Sequence, residues 1–398
     1  MRSFIKRITP ERLKVLYREL RGRIMGFSFW LFGHLPIRQN RVVFENVWGY
    51  GDNPKSIALA LRKLDRGLDI VFIAGGKNRT GAPKGIKLVS SGSVIAAYFL
   101  STAKVWVDCN HKPYYVRKRA GQFYMQTWHG SLPLKRIEGD AQGLSEEYLS
   151  EASSDTQITD VFLSNSEFCS DVYRHAFGFD GRIEITGSPR LDRLLKNGTS
   201  RREKILSGLG IPAEKGVVLY APTFRGGGED AGPLKEFDPK GIAAALKKRF
   251  GKDFEVLVKL HPLAVSHGCS AELLGSAVKD VSRYPDIYEL LEAVDVLITD
   301  YSNTMFEFSY TGRPCFLFAP DSGRYKDERG MYFVYDRLPF PIAAGSRELC
   351  AKIENYDLMQ YAARAQAFYR DLGVREDGRA SRRAARIILC EVKSRYRK

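Results

Sequence analysis

Polar residues gather where apolar runs stop. Val217–Tyr220 leads into Ala221-Pro222-Thr223-Phe224-Arg225, Phe254–Leu260 into His261-Pro262, and Val294–Thr299 into Asp300-Tyr301-Ser302-Asn303-Thr304. Val294–Asp300 is short, apolar and β-branched, as a buried parallel strand reads. Ser302 and Asn303 are helix N-cap types, and Thr304–Tyr310 has helical apolar spacing. Gly312 and Pro314 then end the helix before a second strand, Cys315–Phe318. Strand, polar turn and helix N-terminus together present free N–H groups and a positive dipole end, where an anion can sit. Every α/β protein contains such units, so this stretch alone does not decide the matter. Arg225 is a bidentate phosphate donor by type. His261 is able to donate to a phosphate oxygen, although by itself it reads better as a turn histidine before proline. Lys259 adds charge if it points outward. Ligands of open α/β sheets bind beyond the carboxyl ends of strands, so three such ends converge on one anion site. The substrate-binding set expected here is Thr223, Arg225, Lys259, His261, Asp300, Ser302, Asn303 and Thr304, with Glu307 one turn into the helix.

A fourth strand end, Phe123–Thr127, runs into Trp128-His129-Gly130. Gly130 lets the backbone approach a ligand, and a histidine titrates where a general base is useful. His129 is therefore the candidate catalytic base, with Asp140 as the group that would orient it. The strand-end loops hold no Asp-x-Asp pair and no His/carboxylate set at metal spacing, so neither a metal nor a cofactor is expected. Ser302 lacks the G-x-S-x-G setting of a hydrolase nucleophile.

These loops need a scaffold. Candidate strands Val42–Glu45, Ile70–Ala74, Lys104–Cys109, Phe123–Thr127, Val161–Ser164 and Ile183–Thr186 come first, with helical patterns at Pro54–Leu64 and Ser93–Ser101. Gln142–Thr156 reads as a helix and surface loop. The alternation restarts after Gly187-Ser188-Pro189-Arg190, with helical patterns at Lys204–Leu209, Ile242–Phe250 and Asp286–Leu291. Arg347–Ile387 is largely helical. The fold class is α/β with two doubly wound parallel sheets. The expected divisions are a basic segment over 1–40, domains over 41–186 and 187–376, and a basic helix over 377–398 that packs back on the first domain. A chain of 398 residues supports two such cores.

The formal net charge of +16, from 62 Lys+Arg against 46 Asp+Glu, favours an anionic partner. Aromatic-rich readout motifs are lacking, so nucleic acid is not expected. Six scattered cysteines without C-x-x-C spacing argue against zinc or a disulfide frame and for a reducing cytoplasm. Lys6, Arg7, Arg12, Lys14, Arg18, Arg21 and Arg23 precede the short apolar run Met25–Leu35. No small-x-small cleavage site follows, and no run is long enough to span a bilayer. The segment is expected to lie on an anionic membrane face; the alternative is a helix that packs Phe27, Trp30, Leu31 and Phe32 into its own domain.

In order, the chain carries Tyr50-Gly51-Asp52-Asn53-Pro54-Lys55, Thr127-Trp128-His129-Gly130 with Lys135, and Gly187-Ser188-Pro189-Arg190-Leu191-Asp192. There follow Tyr220-Ala221-Pro222-Thr223-Phe224-Arg225, Lys259-Leu260-His261-Pro262, Thr299-Asp300-Tyr301-Ser302, Arg329-Gly330-Met331-Tyr332-Phe333 and Asp377-Gly378. This set resembles the CDP-glycerol glycerophosphotransferases, which include teichoic-acid primases and polymerases and related capsule enzymes. The resemblance implies a GT-B fold, with two Rossmann-like domains facing across a cleft. It also implies transfer of glycerol phosphate from CDP-glycerol, or a related CDP-polyol, to a hydroxyl of a lipid-linked saccharide or polyol-phosphate acceptor, with release of CMP. His129 would be the base; His261, Arg225 and Ser302 with its helix N-terminus would hold the pyrophosphate. The enzyme would work peripherally at the cytoplasmic face of the cell membrane. Phe224 stands where tryptophan is common, Gly226–Gly228 where acidic residues are, Asn303 where a second serine is frequent, and Glu307 where aspartate is usual. These departures leave the polyol open. A GT-B glycosyltransferase using a nucleotide sugar is the alternative.

Overall fold

A computed structural model describes residues 11–76, 81–196, 199–225, 231–322 and 330–394. Lys6, Arg7, Gly226–Gly228 and Arg329 lie outside the described residues, as do the side chains of Arg12 and Lys14.

The first domain is built on β1 Arg38–Asn46, β2 Asp69–Ala74, β3 Ile86–Ser90, β4 Ala103–Asp108, β5 Phe123–Gln126, β6 Val161–Ser164 and β7 Arg182–Ile185. All seven are parallel, in the order β3-β2-β1-β4-β5-β6-β7. Successive side chains of a strand point to opposite faces, and the sequence uses both. Val42 and Phe44 pack with Ile57, Ala58 and Leu61 of the helix Asp52–Leu64 and with Ala384 and Ile388 of the helix Ala380–Lys393. Val43, Val71 and Ile73 face the other way, against Ala96 and Ala97 of the helix Val94–Thr102 and Met25 and Phe29 of the helix Glu11–Phe32. Each large aliphatic side chain buried this way contributes about 1.5–3 kcal/mol.

The second domain carries β8 Gly216–Tyr220, β9 Phe254–Val258, β10 Lys279–Asp280, β11 Val296–Thr299, β12 Cys315–Phe318 and β13 Ile342–Ala343, again all parallel, in the order β10-β9-β8-β11-β12-β13. Two doubly wound parallel sheets of this kind are the GT-B arrangement the sequence leads one to expect.

Two strands of chain cross between the domains, and they run side by side. Ser188 donates its N–H to Glu376 at 3.1 Å, and the Asp192 carboxylate accepts the N–H groups of Ala380 and Ser381, both at 2.8 Å. Gly187 has φ +84°, and a Cβ there would come within 2.5 Å of the Arg375 carbonyl oxygen, so the crossing needs glycine.

Among the described side chains of the helix Glu11–Phe32, the buried apolar ones that join the first domain are Met25 and Phe29. Leu13, Tyr17, Leu20, Ile24, Phe27 and Leu31 recur at alternating spacings of four and three along its opposite, exposed side. Of the side chains that packing into the domain would bury, Phe27, Trp30 and Leu31 are exposed, while Phe32 packs partly against the core. Among the described residues no helix is long and apolar enough to cross a membrane.

Candidate active site

The order of the second sheet reverses between β8 and β11: the chain runs outward from β8 through β9 to β10, then restarts on the other side of β8. A crevice opens beyond the strand ends at such a reversal. Its two lips are residues 221–225 after β8 and residues 300–304 after β11. Asp300 joins them. Its buried carboxylate accepts the N–H of Thr223 at 2.8 Å and of Tyr301 at 2.7 Å, and pairs with Arg225 Nη1 at 2.6 Å. Arg225 also donates from Nε to Asp321 at 2.8 Å and from Nη1 to the Thr223 carbonyl. Burial opposes its charge, but the two carboxylates more than compensate and hold its pKa above the ordinary guanidinium value. Arg225 and Asp300 are thus occupied in shaping the crevice, and Arg225 does not stand out as the solvent-facing phosphate donor its type suggested.

Lys259 departs further from expectation. Its ammonium donates to the carbonyls of Ser282 at 3.2 Å and Tyr284 at 2.7 Å, so it closes the loop after β10 and does not point outward. Burial lowers its pKa.

His261 is exposed at the end of β9 and stacks on Phe224, with ring centroids 5.6 Å apart and planes at 23°. Its Nδ1 accepts the Leu263 N–H at 3.2 Å. A neutral imidazole with Nδ1 accepting carries its proton on Nε2, which suits it to donate to an anion. Ser302 Oγ accepts the Thr304 N–H at 3.3 Å and shares a hydrogen bond with Thr304 Oγ1 at 2.9 Å, both residues being half-buried. Loss of one charge-assisted hydrogen bond costs about 1.5–3 kcal/mol. His261→Ala is therefore expected to lower kcat/KM about 10- to 150-fold. Steady-state kinetics with a CDP-polyol would read this, and wild-type values would remove His261 from the site.

Asn303 does something the sequence did not announce. It occupies the N-cap position of the helix Thr304–Ser309 without capping it. Its Oδ1 accepts the Leu134 N–H of the first domain at 3.0 Å, and its Nδ2 lies 3.5 Å from where a Cβ on Gly130 would be. The second-domain crevice therefore adjoins the loop that carries His129.

That loop is held from several sides. Trp128 has φ 49°, in the region that favours glycine. Gln126 Oε1 accepts the Trp128 N–H at 3.0 Å, Asn53 Nδ2 donates to the Trp128 carbonyl at 3.0 Å, and the Trp128 ring packs edge-on against Phe177. His129 Nδ1 donates to the Cys109 carbonyl at 3.0 Å. Its other nitrogen, Nε2, then carries the lone pair a base needs. His129 is exposed, but nearby protein atoms desolvate the imidazole enough to lower its pKa, which keeps it neutral at neutral pH.

Asp140 does not orient His129. It accepts the Tyr332 hydroxyl and pairs with His175 Nδ1 at 2.8 Å, joining first-domain residues to the second-domain segment around Tyr332. The backbone carbonyl of Cys109 takes the place that a carboxylate was expected to fill.

Glu307 is also placed differently. It is 1% exposed and pairs with Arg190, while its other oxygen accepts the Tyr288 hydroxyl at 2.7 Å. Arg190 Nη1 donates to Asp52 at 3.0 Å and to the His129 carbonyl at 2.6 Å, and its N–H donates to Asn53 Oδ1 at 3.0 Å. Arg190 thus lies between the domains and ties Asp52, His129 and Glu307 together. Lys55 and Asp286 add a second inter-domain pair at 3.2 Å. The signal in the sequence was the complementary charge of Gly51-Asp52-Asn53 and Pro189-Arg190, two motifs distant in the chain. His111 was missed as well. It sits between Glu138 at 3.1 Å and Asp155 at 3.3 Å, and these carboxylates outweigh desolvation and push its pKa up to about 9. Among the described residues no cluster of histidine, cysteine and carboxylates could hold a metal ion.

The signature of the CDP-glycerol:poly(glycerophosphate) glycerophosphotransferases matches residues 27–390. The chain belongs to that family. A teichoic acid glycerol-phosphate transferase of Staphylococcus aureus (strain NCTC 8325 / PS 47) is 30% identical over 376 residues, 91% of this chain and 95% of that protein. A teichoic acid poly(glycerol phosphate) polymerase of Staphylococcus epidermidis is 30% identical over 372 residues, 90% of this chain and 51% of that protein. The chain spans about half the length of that polymerase and of its Bacillus subtilis counterpart, 51% and 53%. Among solved structures, the wall teichoic acid polymerase TagF superposes with a TM-score of 0.79 at 28% identity, over 96% of this chain and 99% of that one. A TagF variant soaked with CDPG gives the same score over 97% of this chain. The overall fold is therefore shared with TagF.

Proposed function

We propose that this family member moves glycerol phosphate, or another polyol phosphate, from a CDP-activated donor to a hydroxyl of a lipid-linked saccharide or growing polyol-phosphate polymer. The observation that carries the reading is the juxtaposition of two loops. His129, with Nδ1 on a carbonyl and Nε2 left as base, stands on the first-domain loop that Asn303 joins to the crevice between β8 and β11. In the reaction the acceptor oxygen forms a bond to the polyol-bearing phosphorus. The bond from that phosphorus to the bridging oxygen breaks, and CMP leaves with the electron pair. His129 Nε2 takes the acceptor proton. His261 Nε2 and the Ser302 hydroxyl donate to the pyrophosphate oxygens, while Arg225, Asp300 and Thr223 keep the crevice in shape. Such catalysis is positioning plus stabilisation of phosphoryl charge. Mass spectrometry of products from CDP-glycerol, CDP-ribitol and UDP-sugars with lipid-linked saccharides tests it. A polyol-phosphate adduct with equimolar CMP is expected; a glycosyl adduct from a UDP-sugar would replace this reading with a glycosyltransferase.

A docking of the enzyme on an anionic membrane surface, where a lipid-linked acceptor lies, is supported by the helix Glu11–Phe32, whose exposed side repeats Leu13, Tyr17, Leu20, Ile24, Phe27 and Leu31. Arg18, Arg21 and Arg23 lie on the same helix. Apolar burial at the headgroup boundary and attraction to anionic lipid act together in such helices. Met25 and Phe29 belong to the core, so charges placed on the exposed side separate docking from folding better than deletion does. Leu20→Glu with Phe27→Glu is expected to weaken co-sedimentation with anionic liposomes at least about tenfold and to leave the circular dichroism spectrum unchanged. Binding by the wild type should also fall as salt rises. Undiminished liposome binding by the double variant would exclude this helix as the membrane contact.

A further inference from the structure

Behind Arg190 lies an inter-domain cavity of about 470 Å³, which the reaction above does not use. Its walls are the helix Asp52–Leu64 of the first domain, the crossing segment 189–196, the helix Ile287–Leu291 of the second domain, and the start of the helix Ala380–Lys393. The volume is that of a small-molecule or oligomer-end site.

Its charges do not cancel. Most of the carboxylates in its wall are already committed: Asp52 to Arg190, Asp286 to Lys55, Glu292 to Arg193 and Arg201, and Asp192 to two backbone N–H groups. Three cations at the rim, Lys63, Lys196 and Arg382, are exposed and have no carboxylate within ion-pair distance among the described residues. Arg190 forms part of the wall, with its side chain only 6% exposed, and its Nε–H meets no acceptor. The guanidinium itself is already paired with Asp52 and Glu307, so it is the rim of three uncommitted cations that favours an anion bringing acceptor oxygens.

We propose that this cavity binds a phosphodiester of the acceptor chain, one or more units behind the hydroxyl that reacts. This rests on the polyol-phosphate transfer proposed above. The geometry favours acceptor over donor because Arg190 also donates to the His129 carbonyl at 2.6 Å. One guanidinium thus connects the cavity to the loop that carries the base. An acceptor whose end lies at His129 then lays an earlier phosphate against Lys63, Lys196 and Arg382.

Calorimetry at low salt with tri(glycerol phosphate), inorganic phosphate and CDP-glycerol tests this on the full chain. In Lys63→Ala/Lys196→Ala/Arg382→Ala, whose changes are all at exposed positions, affinity for the trimer is expected to fall about tenfold, the sum of three surface charge contacts. CDP-glycerol affinity should be unchanged, and the wild type should bind the trimer more tightly than inorganic phosphate. Three results would overturn the proposal: no trimer binding by the wild type, equal trimer binding by variant and wild type, or a parallel loss of CDP-glycerol binding that would make the cavity part of the donor site. Phosphate binding as tight as the trimer would make it a general anion site and overturn the acceptor assignment. A protein that transfers to no acceptor, yet loses trimer binding in the variant, would refute the transfer reading and leave the cavity as a polyol-phosphate site.

Discussion

His129→Gln is expected to lower kcat by about 10²–10⁴-fold, the usual contribution of a general base, and to bind CDP-glycerol as the wild type does. Glutamine keeps a donor for the Cys109 carbonyl but cannot accept a proton to form a cation. His129→Ala should be equally impaired, because proton acceptance and not loop shape is at stake. The pH profile adds an independent reading. Desolvation lowers the His129 pKa from 6.5, so the base stays neutral as pH falls through 6.5, and the acid limb of kcat/KM should have its midpoint below that value. Activity is then lost as pH drops through the lowered pKa. Substantial transfer by His129→Gln in a single-turnover assay would show that the imidazole only shapes the loop. Asp140→Asn, by contrast, should leave the position of the acid limb unchanged, since Asp140 serves Tyr332 and His175.

The second large effect concerns stability. Arg190→Met removes the cation that faces Asp52 and Glu307, and Glu307 is 1% exposed. Removing one partner of a buried ion pair typically costs about 3–5 kcal/mol, because the remaining charge has no compensation. Denaturant unfolding should show a loss of that size. The double variant Arg190→Met/Glu307→Gln should recover part of it, since the stranded charge is gone. A single variant as stable as the wild type would mean that the two domains do not depend on this pair.

Most of the scaffold could be read from the chain because buried parallel strands are apolar on both faces. Val161–Ser164 and Cys315–Phe318 match the observed strands, and Ile70–Ala74 and Val217–Tyr220 each fall one residue short at their start. The strands that went unread, β3, β10 and β13, are edge strands of five, two and two residues, too short or too polar to leave a periodic signal. The loops after β5, β8, β9 and β11 do follow strands, as read; they drew notice because polar residues there have no core reason to exist. What each side chain does depends on neighbours far away in the chain. Arg225 is neutralised by Asp321 across 96 positions, and Lys259 turns toward carbonyls more than 20 residues on. Residue type could not reveal this. Asn303 read as a helix cap by type, and its longer amide reaches Leu134 instead.

The helix Ala380–Lys393 bears on how the protein comes into being. It packs with Val42 and Phe44 of the first sheet and with Ile57 and Leu61 of the helix Asp52–Leu64, yet a ribosome makes it only after the whole second domain. Domains generally fold in order of synthesis, with exposed apolar surface as the hazard of waiting. Here the order is inverted: the second domain can close on itself while one face of the first sheet has the helix Asp52–Leu64 but still lacks the rest of its cover. Replacing Ile388, which is completely buried, with a charged residue would thus strike the half of the protein translated earliest, and would leave nascent chains dependent on chaperones for longer.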